Sequence, residues 1–284
     1  MIDWHKKPLY WMQDGKEHIS VVFTFDLPEV RDHILNGNLY SNTRPVVGGP
    51  AIKLMPDYLA DIADIGGDIK GILQRMNLLA TRTTLGCPNK CSFCAVPIIE
   101  GEFRELDNWE DLPIICDNNL LASSKPHFDK VIERLKRHTG VDFNQGLDAR
   151  LLTDYHARRL AEVDGTIRLA WDHINSERYL LTAVTRLLRA GIPRKRIQCY
   201  VLIGFKDTPE DALYRLETIR HALGITPNPM RYIPLDSTER HYTGDNWTDA
   251  ELTRMQRYWS NLKNTGGVPY EEFGKDTQHV KFVV

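Results

Sequence analysis

Five cysteines are spread unevenly along the 284-residue chain: Cys87, Cys91 and Cys94 crowd into LGCPNKCSFCAVP, while Cys116 and Cys199 stand apart. The crowded three are spaced C-x3-C-x2-C. Thiolates are soft metal ligands, and in a reducing compartment such a group reads as metal or redox chemistry before it reads as disulfides. Zinc sites usually take four protein ligands, commonly from paired C-x2-C knuckles. Only one tight cluster is present here, and the available fourth ligand, Cys116, lies at the end of a predicted strand. An iron–sulfur cluster held by three cysteines leaves one iron open to a small molecule. Burial as ordinary core residues is the third reading, and Pro88, Asn89, Lys90 and Ser92 in the same loop argue against it. The spacing favours iron–sulfur over zinc, and both over a metal-free core.

Elements that alternate in type must hold this loop. Short apolar runs at 79–85, 112–116, 141–144, 166–170, 198–203 and 230–234 read as strands. Helical patterns lie between them, over 126–138, 153–163, 176–190 and 208–223. Their ends carry start and stop signals: Ser176 opens and Gly191 closes one, and TPED at 208–211 puts Pro and acids in a first turn. Six strands joined by helices of this length imply parallel pairing through right-handed crossovers. The sheet is then either doubly wound or curled wholly or partly into a barrel, and the pattern alone leaves both open. The N-terminal part reads as a strand over 20–28 and a second strand entering the Gly-Gly-Pro turn of VVGGP. A further helix is expected near 248–262.

With C-x3-C-x2-C directly after a first strand and Phe93 just before the last cysteine, the chain resembles the radical S-adenosylmethionine (radical SAM) superfamily over about residues 79–235. The resemblance implies a partial (β/α)6 TIM-like barrel at 79–235, a short N-terminal α/β appendage at 1–78 and a C-terminal helical extension at 236–284. It implies a 4Fe-4S cluster on Cys87, Cys91 and Cys94 whose open iron takes the amino and carboxylate groups of S-adenosylmethionine. Reductive cleavage then gives methionine and a 5′-deoxyadenosyl radical that abstracts a substrate hydrogen. The missing fourth ligand is, on this reading, the cofactor.

Other family positions map one by one. Where the family has a Gly-Gly-Glu-like stretch for the methionine amino group, this chain has Asp117, Asn118 and Asn119, whose side chains also accept from an ammonium. The ends of strands three and four place Asn144, Gln145, Asp148, Arg150 and Asp172 toward ribose and carboxylate, with Phe93 beside the cluster. Gly204 fits the turn that approaches the adenine, and Tyr232 offers it a ring. His173, Arg231 and Asp236 point to substrate contact, and no catalytic side chain is assigned. The polar-turn, ion-pair and helix-cap readings of Asp117, Asp148 with Arg150, and Asp172 stand beside these.

VVGGPAIKLMP resembles the Gly-Gly-Pro turn of the cobalamin-binding layer in some radical SAM enzymes, which makes residues 1–78 a reduced version of that layer. No Asp-x-His-x-x-Gly segment supplies a cobalt ligand, since Asp32-His33-Ile34-Leu35-Asn36-Gly37 has the wrong spacing, so no cobalamin is expected. A formal net charge of −2 gives no global pull toward polyanions, and the basic run from Arg186 to Arg196 reads as cations at a helix C-terminus. No apolar run approaches a membrane span, and the N-terminus lacks a signal-peptide core. The expected protein is cytoplasmic and oxygen-sensitive. Its partners are a small-molecule, nucleotide or nucleic-acid-base substrate and an electron donor such as flavodoxin or ferredoxin. The alternative is a zinc- or cluster-bearing binding module without radical chemistry.

Overall fold

The structure, a computed structural model, describes residues 4–5, 7–37, 43–67, 69 and 71–274. The chain forms two compact units, one of Met1–Gln145, Glu162–Gly165 and Ile233–His241, the other of Gly146–Ala161, Thr166–Tyr232 and Tyr242–Val284. Both are mixed α/β, with parallel strand pairing dominant, as the alternation of strand and helix patterns implies.

The first unit begins with a hairpin of β1 (Leu9–Gln13) and β2 (Lys16–Ser20), closed by Asp14 and Gly15, both at positive φ, as a hairpin matched to strand twist requires. After β2 a 3-10 turn at Thr24–Asp26 leads into α1 (Leu27–Gly37). The strand expected over 20–28 therefore stops at Ser20. Pro28 explains the change: it lacks the N–H a ladder needs, yet suits the first turn of a helix. Leu27, Val30 and Ile34 form the buried stripe of α1 and pack with Ile19, Val21 and Val47. β3 (Val46–Gly48), α2 (Pro50–Leu54) and β4 (Asp64–Ile65) complete a sheet of order β1-β2-β3-β4, in which the last three strands run parallel.

Next along the chain come α3 (Ile72–Met76), β5 (Ala80–Thr81), β6 (Thr84–Leu85), α4 (Val96–Ile99), β7 (Arg104–Glu105), β8 (Ile114–Ile115), α5 (Lys125–Leu135) and β9 (Val141–Phe143). β8 pairs in parallel with β5 and with β9, while β6 and β7 make a small antiparallel ribbon. Ser124 caps α5 by accepting from the His127 amide, and Phe128, Val131, Ile132 and Leu135 bury its apolar face.

The second unit contains α6 (Asp154–Ala161), β10 (Gly165–Ala170) from Thr166 onward, α7 (Glu177–Arg189), β11 (Ile197–Ile203), α8 (Pro209–Glu217), β12 (Thr226–Arg231) and α9 (Asp249–Ser260). β10, β11 and β12 pair in parallel. Along β10 and β11 buried and half-buried residues alternate. The half-buried face is polar: Gln198 Oε1 accepts from Arg168 at 2.8 Å and from the Asn228 amide at 3.2 Å. The last strand was expected at 230–234 and lies instead at Thr226–Arg231. Pro227 and Pro229 hide it, because proline cannot donate to a ladder and is tolerated only at a sheet edge. α9 starts with a full capping box between Thr248 and Glu251, and packs on β12 through a face that buries Leu252, Met255 and Trp259.

Candidate functional site

The cysteine loop leaves β6 through Gly86, at φ +74°. A Cβ there would lie 2.4 Å from the Glu102 carbonyl oxygen, so only glycine allows the turn so close to the neighbouring backbone. Cys87, Cys91 and Cys94 follow, none in a disulfide and all half-buried. Cys87 Sγ accepts from two side-chain amides, Asn89 Nδ2 at 3.5 Å and Asn119 Nδ2 at 3.4 Å. Such N–H···S bonds tune the sulfur of a metal-bound thiolate. The loop does not hold its thiols converged: among the described residues, no group of three or more His, Cys, Asp or Glu side chains is arranged to hold a metal ion. The donor set nevertheless fits an iron–sulfur cluster in type, being three accessible, unbridged thiols with amide donors on one sulfur. Cys116 and Cys199 differ: both are buried, which pushes the Cys116 thiol up to about 12 and Cys199 well above its ordinary value.

Glu100, just beyond α4, joins the elements around this loop. Its Oε1 accepts from Arg82 at 2.6 Å, and its Oε2 accepts from the Gly86 amide and from Asn118 Nδ2, each at 2.8 Å. Asp117 is equally engaged. Its Oδ1 accepts from the Thr83 and Thr84 amides at 2.6 and 3.0 Å, and its Oδ2 from the Thr83 hydroxyl at 2.5 Å. Burial pushes its carboxyl up to about 6, against the pull of those hydrogen bonds. The Thr83 hydroxyl also meets His127 Nε2 at 3.2 Å. Asp117 thus fastens the strand that delivers the cysteines, and Asn118 and Asn119 are the members of the triplet that reach the loop. Sequence reading missed Glu100 and Thr83. One of the two acids in IIEGEF gives no periodic or spacing signal, and its importance arises from three partners distant in sequence.

Asn144 and Gln145, at the carboxyl end of β9, line a cavity of about 800 Å³ within the first unit. Arg82 and Cys116, at the ends of β5 and β8, line it too, as do Ser20, Gly48 and Gly66 at the ends of β2, β3 and β4. The carboxyl edges of two parallel sets of strands therefore face one space, the usual ligand position in α/β proteins. Asp236 lies exposed on the 233–241 segment.

In the second unit, Asp148 and Arg150 pair bidentately, Nε to Oδ1 and Nη2 to Oδ2, both at 2.8 Å. Asp172 follows β10, and burial pushes its carboxyl up to about 6 against the attraction of Arg215. His173 is a cap: its Nδ1 accepts from the Asn175 amide at 3.2 Å, and its carbonyl accepts from the Trp171 indole. Arg231 donates to the Tyr242 carbonyl and to Asp249 Oδ1 at 2.7 Å, so it anchors the start of α9. Gly204, at φ +84°, and Tyr232 line a cavity of about 220 Å³ together with Phe205 and Tyr242. Tyr232 packs between those two rings, with centroids at 4.6 and 5.4 Å. Beneath lies a buried ion pair: Arg215 bonds Asp207 and donates to the carbonyls of Trp171 and Leu202, both at 2.9 Å. Sequence reading missed this pair because a single Arg on an amphipathic helix reads as solvent-facing.

No protein-family model and no curated protein matches the chain. Among the solved structures that share its fold are two of TsrM, a radical S-adenosylmethionine methyltransferase from Kitasatospora setae. One holds cobalamin and a [4Fe-4S] cluster; it is 13% identical with a TM-score of 0.56, and the match covers 77% of this chain and 65% of that one. The other holds tryptophan substrate and the analogue aza-SAM; it is 14% identical at the same TM-score, covering 76% of this chain and 61% of that one. This chain therefore spans less than two thirds of the neighbours' length. Among the described residues no helix is long and apolar enough to cross a membrane.

Proposed function

We propose that the chain is a radical SAM enzyme that abstracts a hydrogen atom from a small-molecule substrate. The observation that carries this reading is the C-x3-C-x2-C loop, rooted at the end of β6 in a fold shared with a radical SAM methyltransferase. Cys87, Cys91 and Cys94 would hold a 4Fe-4S cluster, which when bound supplies the electron that cleaves S-adenosylmethionine to the 5′-deoxyadenosyl radical. The protein's own part is positioning. Asn119 and Asn89 place amide donors on Cys87, and Glu100 braces the root of the loop against Asn118. Asn118 and Asn119 receive the methionine amino group, and Asp117 holds the strand that aligns them. Phe93 shields the cluster loop, and Asn144 and Gln145 face the cofactor from the end of β9.

In the second unit Asp172 accepts from the ribose hydroxyls, and the Asp148–Arg150 pair meets the methionine carboxylate through the guanidinium. The cavity at Gly204 and Tyr232 takes the adenine, where a ring can stack on tyrosine. Residues 79–235 form the partial (β/α)6 barrel, residues 1–78 its appendage and 236–284 its extension. The enzyme works in a reducing cytoplasm with flavodoxin or ferredoxin as electron donor. Its substrate is a small molecule, nucleotide or nucleic-acid base, contacted by Asp236.

Anaerobic reconstitution with iron and sulfide, followed by reductant and S-adenosylmethionine, is expected to release 5′-deoxyadenosine from the wild type and none from Cys91→Ala. No release from wild type, or undiminished release from the variant, refutes the reading. A colourless protein that binds one zinc and no iron would establish a binding module instead. No cobalamin is needed on this account, and stoichiometric cobalamin in anaerobically purified protein would refute that part.

A further inference from the structure

The large cavity of the first unit has a wall that the cofactor reading does not use. Phe23 and Asp26 sit on the turn that follows the carboxyl end of β2, and both line the cavity. Phe23 lies flat against Phe25, with centroids 4.9 Å apart and planes 8° from parallel. Arg240 sits over the Phe25 ring at 5.4 Å. This short stack holds Phe23 in place from one side, yet 48% of Phe23 remains exposed. An uncovered aromatic face at a cavity wall is a surface on which a second flat ring can stack. Asp26, three residues on, is half-buried, and among the described residues it accepts no side-chain hydrogen bond. Burial and the neighbouring Glu29 push its carboxyl above its ordinary range, against the attraction of Arg240 and Lys7. Its oxygens are open to an N–H donor from the cavity. Arg82 lines the same cavity as well, its guanidinium partly exposed and held on one side by Glu100 Oε1 at 2.6 Å.

We propose that this cavity is the substrate chamber, and that Phe23, Asp26 and Arg82 select a nitrogen heteroaromatic ring of nucleobase type. The ring stacks on Phe23, an N–H or amino edge donates to Asp26, and a carbonyl or ring nitrogen accepts from the exposed side of the Arg82 guanidinium. A volume of about 800 Å³ accommodates a whole nucleoside. Five glycines at positions 48, 49, 66, 67 and 71 line the cavity and let the ligand approach backbone directly. The inference rests on the radical SAM reading for the word substrate, but the binding site stands on its own geometry.

The test is calorimetric titration of anaerobically reconstituted protein with adenosine, guanosine, cytidine and uridine in turn, with p-cresol as a ring lacking the amide edge. S-adenosylhomocysteine is kept saturating, so that the cofactor site is filled. At least one nucleoside is expected to bind 1:1 with Kd under about 1 mM, the usual substrate range, and p-cresol is not. Phe23→Ala, at an exposed position, is expected to weaken that nucleoside about tenfold or more, as loss of a base–aromatic stack does. Asp26→Asn is expected to weaken it as well. Binding by no nucleoside, binding indifferent to both Phe23→Ala and Asp26→Asn, or displacement of the nucleoside by hydroxocobalamin overturns the proposal. Nucleoside binding without 5′-deoxyadenosine formation would keep the chamber and remove the radical reading; 5′-deoxyadenosine formation without nucleoside binding would do the reverse.

Discussion

Asp117 offers a sharp test of how the root of the cysteine loop is built. Two replacements separate its roles. Asp117→Asn keeps an oxygen for the Thr83 and Thr84 amides, and its NH2 can donate to the Thr83 hydroxyl, which in turn donates to His127 Nε2. Asp117→Ala instead leaves two buried backbone donors without an acceptor, at about 1–3 kcal/mol each. The alanine variant is therefore expected to be less stable than the asparagine variant by about 2–6 kcal/mol in urea unfolding at pH 7. The pH dependence follows from burial, which raises the carboxyl from 3.8 to about 6. Between those values the folded protein holds a proton that the unfolded chain has released, so stability falls as pH rises through the window and then levels off. The displacement corresponds to about 3 kcal/mol. Wild-type stability minus that of Asp117→Asn should thus decline by roughly that amount between pH 4 and pH 7, other titrating groups cancelling. Equal stabilities for the two variants, or a difference that stays flat with pH, would refute the clamp.

The cysteines should sort by exposure: alanine at 87, 91 or 94 abolishes iron loading of the reconstituted protein, whereas Cys199→Ala preserves it, as iron content per chain will show. Arg215→Met strands the Asp207 carboxylate and two carbonyls in the interior, and is expected to cost about 3–5 kcal/mol in urea unfolding. Gly204→Ala places a side chain at φ +84° with its Cβ 3.1 Å from Leu252 Cδ2, and should cost about 1–3 kcal/mol by the same measurement. Glu100→Ala removes the acceptor of Arg82, of the Gly86 amide and of Asn118 together, so it should slow cluster loading and lower the iron content reached, read from visible absorbance during reconstitution.

Sequence by itself determined the features that depend on local chemistry. Thiol spacing carries the proposed metal chemistry, and three- and four-residue apolar steps marked α5, α7 and α9, because a helix face is written within a few turns of chain. Periodicity failed where proline carries two meanings, disguising β12 and extending a supposed strand past Ser20 into α1. It also failed for the polar contacts. Thr83 lies 34 residues from Asp117, and Glu100 14 residues from Gly86, with bonds that only the packed strands bring within reach. Which carboxylates are fasteners and which face open space was likewise a tertiary decision. Asp117 and Asp26 are the same residue type in the sequence, and the fold surrounds one with donors while leaving the other at the wall of a cavity. The cause is physical: a hydrogen bond or a buried charge depends on distances between strands, and those distances exist only after the sheets have formed.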